Sequence, residues 1–204
     1  MSIKQHMEDE WIAVRKAGLA DIKFVDEIIV ETEQSARARG TGIAKRNPES
    51  LIRCMCEGNG IIAITASGHW VGFAYITVWE NGKFVSNSGL IVAPEFRHTG
   101  VASAIKQHVF ALSREKYPLA SVFSITTGIA VMKMNSRLGF EPVTFEEITH
   151  DPEFWAGCKS CVNYGLLVEK GYHNCLCTAM RFDPRSMEPC PDKKSMRVQV
   201  ETNA

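Results

Sequence analysis

An excess of charge of either sign is missing from this chain. Its 23 lysines and arginines are matched by 23 aspartates and glutamates, so no long-range field is present to gather nucleic acid or an anionic membrane. Long apolar runs are missing too. No stretch approaches the roughly 20 residues that cross a bilayer, and His6-Met-Glu-Asp-Glu10 offers no apolar core of a secretory signal. These absences make the cytoplasm the expected location and exclude membrane and nucleic acid as expected partners. Repeats and low-complexity tracts are also lacking. With 45% apolar and 23% charged residues in 204, the chain is long enough for one well-buried core and short for two.

Cysteine, by contrast, is plentiful. Cys54, Cys56, Cys158, Cys161, Cys175, Cys177 and Cys190 make seven, and an odd count without a leader argues against a disulfide scaffold. Cys158-x-x-Cys161 and Cys175-x-Cys177 together supply four thiols, the number a tetrahedral zinc site needs. On a strand, however, the two side chains of Cys-x-Cys point to opposite faces, and free cysteines pack as small apolar residues. Plain packing is therefore the favoured reading and no metal is expected; zinc at Cys158, Cys161, Cys175 and Cys177, and a redox pair, stay as alternatives.

Apolar periodicity and turn residues set out the elements. Trp11 to Arg15 reads as a strand and Ala20 to Thr32 as an amphipathic helix. A polar, basic connection follows, then a helix from Pro48, with Asn47 as its N-cap, to about Glu57. Three strands come next: Ile61 to Ala66, Trp70 to Trp79, and, beyond the Asn81-Gly82 turn, Phe84 to Val92. A helix spans Val101 to Lys116, with Val101, Ala104, Ile105, Val109 and Leu112 on its apolar face, and Tyr117-Pro118 stops it. The strand Ala120 to Ile125, a helix ending at Arg137-Leu138-Gly139-Phe140, and a strand near Phe140 to Phe145 complete the order. Residues 1–182 form one expected domain, cysteine-rich over 150–180. The tail 183–204, with three prolines and many charges, is expected to have little fixed structure.

The chemistry concentrates between the strand ending at Val92 and the helix starting at Val101. Leu90-Ile-Val-Ala-Pro-Glu-Phe-Arg97-His98-Thr99-Gly100-Val101-Ala102 is a strand, a proline stop, a short loop and a helix start. The first N–H groups of a helix lack intrahelical partners, and the helix dipole favours an anion there. Gly100 permits close approach, Ala102 keeps the next turn small, and Arg97 can add charge. This Arg-x-x-Gly-x-Ala spacing is neither the dinucleotide nor the Walker glycine pattern.

The order Val-x-Pro-Glu-Phe-Arg-x-x-Gly-x-Ala, helix, strand, helix, Leu-Gly-Phe resembles the GCN5-related N-acetyltransferases (GNAT), over about Ile12 to Phe182. The resemblance implies an α/β fold with a mixed central sheet flanked by helices and a V-shaped opening between two central parallel strands, here Phe84–Val92 and Ala120–Ile125. It implies acetyl coenzyme A as acyl donor. The pantetheine would pair with Leu90, Ile91 and Val92, and the pyrophosphate would sit on Arg97, His98, Thr99, Gly100, Val101 and Ala102, with His98 and Thr99 in backbone roles only. The tyrosine that often protonates the leaving thiolate corresponds to Asn135, placed at the cofactor, and the asparagine often found earlier in that helix corresponds to Gly128. No general acid or base follows from the motif. Glu80, Asn87 and His69, the remaining candidates, are more simply solvated surface groups.

The connection between the first two helices would form one wall of the acceptor pocket. Arg37, Arg39, Lys45, Arg46 and Arg53 stand there against the single acidic Glu49. Arginine forks match carboxylates, so Arg37, Arg39 and Arg46 are the expected substrate-binding residues and a carboxylate-bearing small-molecule amine the expected partner. Arg39-Gly-Thr-Gly-Ile-Ala-Lys-Arg46, Ser88-Gly-Leu-Ile-Val92, Thr126-Thr-Gly128 and Phe154-Trp155…Cys158…Cys161-Val-Asn163 resemble a bacterial subgroup associated with arginine biosynthesis, where glutamate is the acceptor. Succinyl transfer, a protein or peptide acceptor, a non-catalytic coenzyme A sensor, and a homodimer stay open.

Overall fold

The computed structural model of the protein describes residues 11–187. A seven-stranded sheet forms the centre, built from β1 (Ile12–Lys16), β2 (Gly60–Thr65), β3 (Trp70–Trp79), β4 (Phe84–Val92), β5 (Ser121–Thr126), β6 (Glu141–Val143) and β7 (Thr178–Phe182). Its order is β1-β2-β3-β4-β5-β7-β6. Every neighbouring pair is antiparallel except β4 and β5. The helices are α1 (Val25–Ala38), α2 (Pro48–Cys56), α3 (Val101–Lys116), α4 (Ile129–Arg137), α5 (Pro152–Ala156) and α6 (Tyr164–Glu169). Among the described residues no helix is long and apolar enough to cross a membrane.

α3 forms because its apolar side chains recur at helical spacing: Val101, Ile105, Val109 and Leu112 are buried against the sheet. Gly72 on β3 lets this helix come close, since a Cβ there would stand 2.7 Å from Ile105 Cδ1 and 2.8 Å from the Ile91 carbonyl oxygen. α2 starts as expected, the Asn47 side chain accepting from the Glu49 N–H and Pro48 opening the first turn.

The first helix departs from expectation at both ends. A 3-10 turn, Leu19–Phe24, precedes it, because Asp21 is drawn inward to take both Arg15 nitrogens at 2.7 Å and the Gly18 N–H at 2.9 Å. Burial alone would raise the Asp21 carboxyl; the Arg15 pair and the Gly18 N–H outweigh it and hold it below the usual carboxylate range. At the far end α1 runs on to Ala38, and Gly40, with φ +60°, ends it in the left-handed conformation. The last strand, β7, enters between β5 and β6, and β6 is shorter than the expected Phe140–Phe145. Of the tail, Pro184–Met187 is a 3-10 turn held on Asp183; the remainder, including Cys190, and residues 1–10 lie outside the described residues.

Candidate active site

A fork in the sheet positions the site. β4 and β5 face each other only at Phe84–Ser121, Val85–Val122 and Ser86–Phe123. Beyond these pairs β5 continues along β7, through Ser124–Met180 to Thr126–Thr178, while β4 continues along β3. The strands separate, which is the expected V. On the β4 arm the register slips: Phe73 faces Ile91 but Tyr75 faces Ser88, so Gly89 and Leu90 stand opposite Ala74 alone. This bulge turns at Gly89, φ +66°, and the Tyr75 ring edge fills the space where a Cβ would be.

The β4 arm leads into a 3-10 turn, Pro94–Phe96, and the loop before α3. His98 (φ +67°) and Gly100 (φ +91°) are both left-handed, which turns successive N–H groups outward as a small nest. The N–H groups of His98, Thr99 and Gly100 donate to no backbone oxygen among the described residues, and those of Val101 and Ala102 open the helix. No acidic side chain stands in that first turn, and a Cβ on Gly100 would meet nothing within 4 Å. Such an exposed row of N–H groups at a helix start is suited to an anion.

Arg97, expected as a mobile charge for that anion, is committed elsewhere. Its Nε donates to the Val92 carbonyl at 3.2 Å, and its Nη2 meets Glu31 and Ser35 on α1. It joins the end of β4 to α1, and the Val92 oxygen already accepts one hydrogen bond from it. Asn135 also departs from expectation. It is 0% exposed, its Nδ2 donates to Met180 Sδ at 3.6 Å, and its Oδ1 meets no partner among the described residues. The helix turns it into the core beneath β7 instead of toward open solvent.

On the acceptor side the structure separates the three arginines. Arg37 belongs to the last turn of α1, its side chain 83% exposed and loosely paired with Glu33 at 4.0 Å. Arg39 folds back onto Ser35. Neither lies in the loop assumed for it, because α1 is longer than its apolar periodicity alone indicates. Arg46 is the one carried to the sheet: its guanidinium stands 5.8 Å from the Tyr75 ring centroid, beside the bulge. Its Nε is buried without a hydrogen-bond partner among the described residues.

The cysteine-rich segment forms the other half of this wall. A Cβ on Gly42 would stand 2.5 Å from Cys161 Sγ and 2.6 Å from Asn163 Nδ2, and the Lys45 N–H donates to Ser160 Oγ at 2.9 Å. Cys175 and Cys177 precede β7 instead of lying on it, so both reach the same cluster. Burial first, then Cys161 and Cys175, push the Cys158 thiol up, with Arg46 partly opposing. Burial, with Cys175, Cys161 and Cys158 adding, pushes Cys177 up to about 12. The four thiols are thus neighbours, yet among the described residues no three His, Cys, Asp or Glu stand so as to hold a metal ion.

The remaining acid–base candidates have other tasks. Burial would raise Glu80, but the His150 N–H at 2.7 Å, the Thr149 hydroxyl at 2.9 Å and Lys83 hold it below its ordinary value. His69 stays in an exposed turn on Ser67. Asn87 is not a surface group: it is 6% exposed and bonds to Ser113 and Lys106 on α3. Lys106 escaped the sequence reading because it interrupts an apolar face; a lysine next to Ile105 on that face was the available signal. Two surface depressions of about 310 and 380 Å³ lie elsewhere, at Trp155–Tyr172 and at Lys116–Ala120, and touch neither fork nor loop.

Comparison with known proteins agrees with this geometry. The family model "Acetyltransferase (GNAT) family" matches residues 31–140, more than half of the chain. No curated protein matches. Among solved structures, N-acetylglutamate synthase from Neisseria gonorrhoeae, complexed with coenzyme A and N-acetyl-glutamate, aligns with TM-score 0.60 at 14% identity. That alignment covers 85% of this chain but 35% of the synthase, so the chain spans about a third of that protein. Rv2747 from Mycobacterium tuberculosis, in complex with CoA and NLQ, aligns with TM-score 0.59 at 19% identity, over 84% of this chain and 98% of the other. Ard1 from Thermoplasma volcanium gives 0.54 at 15% identity, over 84% and 97%. At such identities the solved structures speak for the fold, and the family match speaks for the chemistry: the chain belongs to the GNAT acetyltransferases, which transfer an acyl group from acyl coenzyme A to an amine.

Proposed function

We propose that the protein acetylates the primary amine of a small carboxylate-bearing acceptor, with glutamate as the first candidate, and that residues 1–182 act as one acyltransferase domain. Acetyl coenzyme A supplies the activated acyl group. The N–H groups of His98 to Ala102 would hold its pyrophosphate, and Leu90 and Ile91 would offer backbone to its pantetheine. One observation carries the acceptor class: Arg46 keeps a buried Nε, unpaired among the described residues, beside Tyr75 at the fork. A guanidinium N–H withdrawn from water with no acceptor is costly, and a carboxylate in the wall would satisfy it. Two of the aligned structures come from proteins described with coenzyme A, one an N-acetylglutamate synthase, and this supports the same reading.

The test is thiol release from acetyl and succinyl coenzyme A across amino acids and polyamines, followed by Arg46→Met. Loss of a charge-assisted hydrogen bond of about 1.5–3 kcal/mol raises KM for a carboxylate acceptor roughly ten- to a hundredfold, with KM for acetyl coenzyme A unchanged. Equal effects on both, or turnover of polyamines alone, would overturn it.

A further inference from the structure

The closed end of the fork holds polar groups that neither the donor loop nor the acceptor wall uses. Ser86 and Phe123 are the last facing pair of β4 and β5. The next residues, one on each arm, are Asn87 and Ser124, both polar and buried, at 6% and 5% exposure. Side chains alternate along a strand. Phe84 and Phe123 pack with Phe154 and Leu167 in one cluster, so Val85, Asn87, Val122 and Ser124 look to the other face, which α3 and α4 cover. The Asn87 contacts agree: its Nδ2 donates to Ser113 Oγ at 2.7 Å, and its Oδ1 accepts from Lys106 Nζ at 3.3 Å.

Lys106 is 2% exposed. Its Nζ stands 5.0 Å from the Phe140 ring centroid, and Asn87 is its one hydrogen-bond acceptor among the described residues. An ammonium has three N–H donors, so at least one remains to be used. On the other arm Asn135 donates to Met180, the residue facing Ser124 across β5 and β7, and its Oδ1 is buried without a partner among the described residues. Phe140 links the two, since its N–H bonds the Asn135 carbonyl at 3.1 Å while its ring lies under Lys106. A buried donor with unspent capacity and a buried acceptor with none satisfied therefore flank the point where the strands part. Polar groups left so are costly unless a ligand atom completes them.

We infer that Lys106 is the proton donor to the coenzyme A sulfur, the task that the tyrosine absent from this chain's α4 would otherwise perform. The acceptor nitrogen forms its bond to the acyl carbon, and the carbon–sulfur bond breaks with its electron pair going to sulfur. Sulfur takes a proton from Lys106 Nζ, and the proton shed by the nitrogen returns through solvent to Lys106. Asn87 and Ser113 position the amine, and the two arms bring the thiol to it. The groups facing Lys106 are Asn87 from β4, Ser113 from α3, and Phe140 after α4; Ser124 and Met180 line the other arm. None titrates near neutrality, and no carboxylate pairs with Lys106 among the described residues. Burial alone lowers its pKa to about 7, where a proton donor works best at neutral pH.

The inference rests on acyl transfer from coenzyme A, and its test separates the two. Lys106→Met keeps the length of the side chain and removes the proton, while Lys106→Arg keeps the charge but not a proton that can be given up. Both are expected to lose roughly a hundredfold in kcat, the contribution of a positioned acid, with KM for acetyl coenzyme A unchanged. The fall of wild-type kcat on the alkaline side disappears in both. Independently of turnover, calorimetry compares coenzyme A with desulfo-coenzyme A. The wild type binds the thiol form about tenfold more tightly, the worth of a charge-assisted hydrogen bond, and Lys106→Met loses that preference. Equal binding of the two by the wild type, or a folded Lys106→Met that keeps its kcat and its alkaline limb, overturns the inference. Should the variants not fold, the wild-type binding comparison decides alone. A wild type that turns over no amine sinks the acyltransfer reading instead, and the sulfur preference still reports on Lys106.

Discussion

Replacing Lys106 by methionine stabilises the fold in mild acid, and the gain follows from where the lysine sits. In the unfolded chain the amine titrates near 10.5, and in the native state near 7. Between those values the unfolded chain holds the extra proton, so native stability rises with pH across the window. The whole cost of burying the charge applies below pH 7. One proton is worth ~1.4 kcal/mol per pH unit, so from pH 7 to pH 9 the wild type gains about 2 kcal/mol from this group. Cys54 and Cys177 act the other way. Burial pushes both thiols to about 12 from an ordinary 9.0, so above pH 9 the unfolded chain ionises first and stability falls. Comparing wild type with Lys106→Met at each pH cancels that effect. Urea unfolding at pH 6, 7, 8 and 9 is the assay. The variant is more stable at pH 6 by on the order of a few kcal/mol, and the gap narrows by about 3 kcal/mol by pH 9. A gap that does not change with pH refutes the reasoning, because it means that Lys106 reaches water or a partner carboxylate in solution.

The loop and the acceptor wall give separable outcomes. Gly100→Ala places a Cβ at φ +91°, costing about 1–2 kcal/mol of stability, and the methyl stands in the open cradle, so KM for acetyl coenzyme A rises while that for the acceptor holds. Gly42→Ala drives a methyl into Cys161 Sγ and Asn163 Nδ2; overpacking costs about 1–3 kcal/mol in a thermal melt, and KM for the acceptor rises while that for acetyl coenzyme A does not.

Where local chemistry decides, the sequence was legible. The strands Trp70–Trp79 and Phe84–Val92 and the helix Val101–Lys116 stand at the expected residues, since glycine turns and Tyr117-Pro118 punctuate them. The Asn47 cap was readable for the same reason. What escaped was set by distant partners. α1 reaches Ala38 because Glu31 and Ser35 have Arg97 and Arg39 to hold, which no periodicity reveals. Asn87 looked like a surface residue because Ser113 and Lys106 approach it from a helix that begins after the next loop. The arginines looked equivalent in sequence, yet only Arg46 meets Tyr75; Arg37 and Arg39 are carried away by the turns of α1.

β7 has a consequence for how the molecule is made. It faces β5 from Val122 to Thr126, whereas β4 faces β5 only up to Phe123. One arm of the fork therefore leans chiefly on a strand synthesised some fifty residues later, with Cys158 to Cys177 in between. A nascent chain that has emerged through α4 already carries the donor loop and Arg46, but not the strand that β5 faces from Ser124 to Thr126. Thr178–Phe182, which borders the second arm of the fork, is thus the last strand of the sheet to be made.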